Sequence, residues 1–364
     1  MRNFLRFFIL LFVLYIVFSV NFNNYTQVLS ASNLVKYTGE VEHLFTHCLI
    51  AYPEIAFKSN NFMKNDYDKD CLTVLEFENI LKNLYEKDYI LVKISEIYEI
   101  KNGQGVKKEL MLPKGKKPLV LSFDDVNYDS KKLGRGMVDK IIVDKNNNLA
   151  TYTKNTKKPT SYDNEHILIL ENFIKKHPDF SFNNAKGLLC ITGYDGILGY
   201  RTNATSKNRE EEIVKVKPVV QKLKDNGWEF ASHSYGHYHI TKISNEGFYN
   251  EIKRWQNEVE PLIGKTNIYA YPYGEYEIAN ERKEITYKHK LLLEAGFNLF
   301  LGVGKKYFFG YAPFNIKKEE RVLFMDRRPL DGNNLRKNHK EFKMFFNSYE
   351  VYDHKNRTVP FYNE

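Results

Sequence analysis

Short apolar runs alternate with longer stretches that carry a helical stripe along most of this chain. Residues 41–50, 89–92, 119–123, 187–193, 228–232, 268–274, 297–303 and 321–326 are dense in Val, Ile, Leu, Phe or Tyr, as buried strands are. Between them, residues 75–87, 166–177, 210–226, 245–262 and 288–295 read as helices. Leu75, Ile80, Leu81 and Leu84 line one face of the first. Thr73 is placed to cap it, and Glu76 to complete a capping box. Pro178, Gly227 and Gly296 stop three of the others. A small helix is expected over 94–100 and a closing helix over 334–347. Residues 140–144 and 149–153 flank an Asn-rich turn, which predicts a hairpin inserted on the rim near 137–160. Strands that alternate with helices predict an α/β fold on a parallel sheet, either a barrel or a doubly wound sheet. No repeat or low-complexity linker interrupts the pattern, so residues 33–364 read as one catalytic domain.

The first residues change the picture of compartment. Arg2 and Arg6 flank a nearly unbroken apolar run over 7–20, and Val28-Leu29-Ser30-Ala31 offers small residues for cleavage. This is the layout of a signal peptide or an N-terminal membrane anchor over 1–32. The body of the protein is then extracytoplasmic, either secreted or tethered to the outer face of the membrane. Three cysteines, Cys48, Cys71 and Cys190, are too few for a disulfide framework. Cys48–Cys71 is the pair the compartment would permit, against three isolated small apolar residues. The net charge of +9 is carried by lysines scattered along the chain, without an arginine-rich block or zinc-finger spacing. That pattern gives no nucleic-acid interface and reads as a solvated surface.

Candidate chemistry gathers at two strand ends. The apolar run into Ser122-Phe123 stops on Asp124-Asp125. Past a strand end the side-chain alternation relaxes, so both carboxylates can turn into one pocket. Two carboxylates held together repel unless a cation sits beside them. A second run, Phe230-Ala231-Ser232, leads into His233-Ser234-Tyr235-Gly236-His237. Imidazoles four residues apart reach one ion from a helical or turn conformation. Asp125, His233 and His237 therefore form a candidate three-ligand site for a divalent metal, with open positions for water and substrate. His239 is expected to face away. Zinc is the expected metal, with cobalt, nickel and iron(II) as alternatives for such a ligand set.

Ser122-Phe123-Asp124-Asp125, His233-Ser234-Tyr235-Gly236-His237 and Tyr271-Pro272-Tyr273-Gly274 resemble, in order, the first three motifs of the polysaccharide deacetylases, the NodB-homology group of carbohydrate esterase family 4. The resemblance spans about residues 41–330. It implies a distorted (β/α)7-type barrel that removes N-acetyl groups from a polysaccharide containing N-acetylglucosamine. It implies Asp124 as the general base, Asp125, His233 and His237 as metal ligands, and the backbone N–H of Tyr273 as oxyanion donor.

Two departures qualify the match. No histidine follows an apolar strand near the C-terminus, where most members carry the general acid. Phe45-Thr46-His47 resembles instead the permuted subgroup of poly-N-acetylglucosamine deacetylases, and implies His47 as the acid; His43 is less well placed. Met325-Asp326-Arg327 resembles the fourth motif, which implies Asp326 as the carboxylate tuning that histidine, with Arg327 holding Asp326. Ala270 stands where many members place an arginine that orients the base. The partner of Asp124 is thus unassigned; Arg201 is a candidate, against a plain surface arginine. The two departures support a competing account, a glycan-binding protein of the same fold with impaired catalysis.

Overall fold

Seven strands frame the protein, in a computed structural model that describes residues 34–361. They are β1 (Glu42–Thr46), β2 (Lys117–Asp124), β3 (Leu188–Ile191), β4 (Glu229–Ser232), β5 (Ile268–Ala270), β6 (Leu299–Val303) and β7 (Val322–Pro329). Each pairs in parallel with the next in space, in the order β3-β4-β5-β6-β7-β1-β2. The ring closes where β2 pairs with β3 through Leu188↔Ser122 and Cys190↔Asp124. The fold is therefore a closed seven-stranded parallel barrel, the barrel alternative of the two expected from the sequence. Closure leaves no open edge in the ring, and it puts all the strand C-termini on one rim. Tyr89–Leu91 adds in parallel to the start of β2, and Phe309–Ala312 adds antiparallel to β7.

The helices cover the outside of the barrel. They are α1 (Val74–Glu86), α2 (His166–Lys176), α3 (Arg209–Asp225), α4 (Asn245–Arg254) and α5 (Tyr287–Glu294). Ile80, Leu81 and Leu84 of α1 are buried, as its stripe predicts, but Leu75 is exposed and Phe77 takes its place on the buried face. Thr73 Oγ1 accepts from the Glu76 N–H, and the Glu76 carboxylate accepts from the Thr73 N–H, which completes the capping box. Phe77 packs edge-on against Phe123 of β2 at 5.9 Å, and Phe123 stacks on His166 at 4.1 Å. Truncating such a buried ring typically costs ~3–5 kcal/mol.

Three local expectations give way. Residues 94–100 are a 3-10 turn, Ile94–Glu96, followed by a hairpin of Tyr98–Lys101 with Gln104–Lys107. Asn102 and Gly103 take positive φ angles of 51° and 78°, which close a tight hairpin turn and prevent a helix from continuing. The closing helix is broken into Gly332–Lys337, His339–Phe342 and Ser348–Val351. After α4 the chain widens into a π-helical turn, Trp255–Val259, before Glu260–Ile263. Lys140–Val143 and Leu149–Tyr152 pair as a hairpin, and Thr160–Ser161 adds a third strand to it. All three cysteines are free and buried.

Residues 34–39 and 109–116 form a separate unit, in which Leu34–Lys36 pairs antiparallel with Met111–Pro113. The signal or anchor expected over 1–32 lies outside the described residues. Among the described residues no helix is long and apolar enough to cross a membrane.

Candidate active site at the barrel rim

Strand alternation on β1 and β7 loads the barrel interior with polar groups. The Arg327 guanidinium touches residues of four other strands: Phe45 of β1, Ser122 and Asp124 of β2, Cys190 of β3 and the Gly302 carbonyl of β6. Only a side chain inside the ring can reach all of them. Asp326, one residue earlier, faces the opposite way toward Gly302 and Gly304. The pair read from the sequence as Arg327 holding Asp326 is thus not formed. Adjacent residues of a strand point to opposite faces.

Arg327 instead supplies the partner that Asp124 lacked. Its Nη1 and Nη2 donate to the two carboxylate oxygens of Asp124 at 2.6 and 3.0 Å, a two-point grip that fixes the carboxylate plane. Burial pushes the Asp124 carboxyl up, but Arg327 and then His233 hold it far below the usual carboxylate range. Arg201 is engaged elsewhere: it donates to the Asp195 and Tyr128 carbonyls and pairs with the Asp195 carboxylate.

The metal-type ligands converge. Ligand atoms of Asp125, His233 and His237 all lie within 4.8 Å of one another. Asp125 Oδ1 stands 3.7 Å from His237 Nε2, and Asp124 Oδ2 is 3.6 Å from His233 Nε2. The backbone is bent to achieve this. Asp125, Ser234 and His237 have φ of 58°, 58° and 56°, in the left-handed region that non-glycine residues seldom adopt. The two histidines are therefore brought together by a loop, braced by the His237 N–H donating to Ser234 Oγ, and not by a helical turn.

Three observations fit this set to a divalent cation. His233 Nδ1 lies 2.9 Å from the Ala270 carbonyl, so that nitrogen carries the proton and Nε2 presents its lone pair to the pocket. Asp125 Oδ1 is buried with no hydrogen-bond partner among the described residues. Burial lowers the His237 imidazole to about 4, with Asp125 opposing, so the ring is neutral and able to coordinate near pH 7. The Asp125 carboxyl is raised by burial but held below its ordinary range by His237, His233 and Lys132.

The remaining candidates divide. His47 lines the same pocket, of about 560 Å³, and its Nδ1 lies 2.9 Å from the Asp70 carbonyl. Tyr273 lines it too, with φ of 59°, and its N–H meets no acceptor among the described residues. The Tyr273 ring packs on His237 at 4.6 Å and stacks on His239 at 3.8 Å. His239 itself turns to Glu275 and stays out of the ligand set, as expected. Asp326 does not line this pocket. Asp331 lines the pocket and feels the His47 ring electrostatically, as Asp124 and Asp125 do. Asp331 also caps the helix Gly332–Lys337 by accepting from the Asn334 N–H. Lys132 is a further pocket residue that the sequence did not single out. Nothing in its surroundings along the chain marks it, whereas Asp331 carries the signal of a helix N-cap.

A parallel barrel with carboxylates and imidazoles gathered at its C-terminal rim can carry metal-assisted hydrolysis. Residues 194–289 match the family model described as polysaccharide deacetylase, across the segment that carries the second and third motifs. That match spans about a quarter of the chain, and with the motifs it supports an N-deacetylating hydrolase. Among solved structures the chain is similar to Streptococcus pyogenes deacetylase PplD in complex with acetate, at 16% identity over 83% of this chain and 97% of that one, with a TM-score of 0.44. It is similar to IcaB from Ammonifex degensii at 14% identity, over 82% and 94% of the two chains, with a TM-score of 0.42. A polysaccharide deacetylase from Bacillus cereus is similar at 14% identity over 85% and 69%, with a TM-score of 0.44. No curated protein matches by sequence.

Proposed function

We propose that this chain is an exported, metal-dependent deacetylase that hydrolyses the N-acetyl groups of a cell-envelope or extracellular polysaccharide containing N-acetylglucosamine. The observation that carries the reading is the convergence of Asp125, His233 and His237 within 4.8 Å, beside an Asp124 gripped by Arg327. Asp125, His233 and His237 would hold the cation, zinc by preference. When bound, such a cation polarises the acetyl carbonyl and lowers the pKa of the attacking water. The other roles fall to the chain itself. Asp124, kept ionised and oriented by Arg327, takes the proton from the water. The Tyr273 N–H donates to the oxyanion that forms on the carbonyl oxygen. His47 donates a proton to the departing nitrogen, which is a poor leaving group until protonated. The competing account, a binding protein with lost chemistry, rested partly on the missing arginine, and Arg327 removes that support.

Acetate release from a panel of N-acetylated glycans, with and without chelator, tests the reading. Activity should vanish with chelator and return with zinc. Asp124→Asn should abolish turnover while keeping metal content. His47→Ala should lose most deacetylation of sugar amides but spare hydrolysis of an aryl acetate, whose leaving group needs no proton. Equal loss on both substrates would reject His47 as the acid, and acetate release unaffected by chelator would reject the metal site.

A further inference from the structure

Two buried carboxylates lie behind the candidate metal site and take no part in the chemistry proposed for it. Glu251, on α4, and Glu258, in the π-helical turn that follows, are 5% and 9% exposed, and neither lines the catalytic pocket. A carboxylate is costly to bury unless its hydrogen bonds are made. Those of Glu251 and Glu258 converge on Tyr235 and Gly236, the middle of the loop that begins at His233 and ends at His237. The Gly236 N–H donates to Glu251 Oε2 at 2.5 Å. The Tyr235 hydroxyl donates to Glu258 Oε2 at 2.7 Å and accepts from Arg254 Nη2 at 2.7 Å. Arg254 also lies over the Tyr235 ring, 3.9 Å from its centroid. Glu258 is itself tied down, because its Oε2 accepts from the Ala204 N–H at 2.7 Å.

The barrel holds the same two residues from the other side. The Tyr235 carbonyl accepts from the N–H groups of Gly193 and Tyr194, just past β3, at 2.8 and 3.0 Å. A Cβ at Gly193 would sit 2.5 Å from the Tyr235 ring and 2.7 Å from Val259, so glycine is what lets the loop and the π-helical turn press against the strand end. This clamp falls between the two bent residues of the loop. Ser234 and His237 flank it, both in the left-handed region. Such conformations persist only where the surroundings over-determine them. The bond from the His237 N–H to Ser234 Oγ closes the loop on itself but ties it to nothing outside. The contacts to Tyr235 and Gly236 are what fix it to the barrel and to α4.

We infer that Glu251 and Glu258 are positioning residues of the metal site. Through Gly236 and Tyr235 they hold His233 and His237 at the separation that a divalent cation requires. The inference rests on the metal-site part of the proposed function. It adds that cation affinity is set in part from a helix that touches neither the cation nor the substrate.

The test is metal binding to the intact protein, without substrate. Zinc affinity is read by competition with a chromophoric chelator, and ligand geometry by the visible absorption of the cobalt(II) form. Glu251→Ala should weaken zinc about tenfold, the low end of the usual loss when an outer hydrogen-bond partner of a metal site is removed, and should shift the cobalt spectrum. Glu251→Gln keeps an oxygen to accept from the Gly236 N–H and should restore most of the affinity. Tyr235→Phe removes only the hydroxyl that Glu258 and Arg254 hold; the buried ring stays, so the fold is kept, and zinc should again bind more weakly. A merely structural role would lower the melting temperature of the metal-free protein and leave the cobalt spectrum in place. Wild-type zinc affinity in Glu251→Ala would overturn the role of Glu251, and in Tyr235→Phe that of Glu258. A wild-type protein that binds no zinc would overturn the inference and the metal-dependent reading together. If the variants lose zinc as expected while wild-type protein releases no acetate from any glycan, the positioning role stands and the deacetylase reading falls.

Discussion

Asp124 and Arg327 form a fully buried ion pair, which is unfavourable to desolvate and worth having only if its geometry matters. The grip on both oxygens leaves the carboxylate one orientation, with Oδ2 3.6 Å from His233 Nε2. Lysine at 327 would keep a positive charge but lose the planar fork. Arg327→Lys should therefore lower kcat by roughly 10²-fold, the usual penalty for a catalytic group misplaced by about 1 Å. KM and zinc content should stay near wild type. A shift in KM with kcat intact would show that Arg327 acts on substrate binding and not through Asp124. This residue also marks where sequence reading reached its limit. Asp124, Asp125, His233 and His237 announce themselves because they interrupt apolar runs. Arg327 was assigned to its neighbour Asp326 by adjacency, although adjacent strand residues face apart. Its true partner lies 203 positions earlier and is met only when the ring closes.

Elements were legible wherever a local rule decides them. The stripe of α1 and its capping box are fixed within fourteen residues or so of one another, and both form. The hairpin turn at Asn102-Gly103 was written in the sequence as well, but the apolar Ile94 and Ile97 before it resemble a helix start. The broken closing helix is a different matter, because its pieces are held by charges from elsewhere. Arg357 donates to both oxygens of Glu76 at the start of α1 and to the Asp68 and Cys71 carbonyls. Arg336 donates to the Asp68 carboxylate. The C-terminal segment is thus locked to the first helices by a network that no window of sequence contains. Arg357→Met would leave Glu76 buried without its cation and Asp68 with Arg336 alone. It should destabilise the fold by ~3–5 kcal/mol, as seen for broken buried pairs, in a denaturant titration. A loss under about 1 kcal/mol would mean that the network is dispensable and that apolar packing alone seats the C-terminus.

At the scale of the whole molecule, alternating strands and helices predicted an α/β sheet, but not which strands would meet to close it. The seam between β2 and β3 depends on three-dimensional twist that composition does not carry. Near that seam lies Glu165, wholly buried at the start of α2, accepting from the N–H groups of His166 and Leu49. Leu49 follows β1, so this carboxyl joins the barrel wall to its helical cover. Burial raises Glu165 to about 8, against the opposing pull of the two N–H groups and Lys132. At pH below the ordinary glutamate value of 4.5, folded and unfolded chains both carry the proton, and the contribution is complete. Between about pH 4.5 and 8 the folded chain keeps a proton that the unfolded chain has lost, so stability falls as pH rises. Above about 8 both forms are ionised and this slope ends. Glu165→Gln keeps an acceptor for the N–H groups and removes the titration. Relative to wild type, its melting temperature should gain more at pH 8.5 than at pH 5. His166, lowered to about 3 by burial, titrates in the opposite sense and is common to both proteins, so it cancels in the comparison. A difference between wild type and variant that does not change with pH would show that Glu165 is ionised in the folded protein throughout. The joint between wall and helix would then be an anion bound by two N–H groups, not a neutral acid.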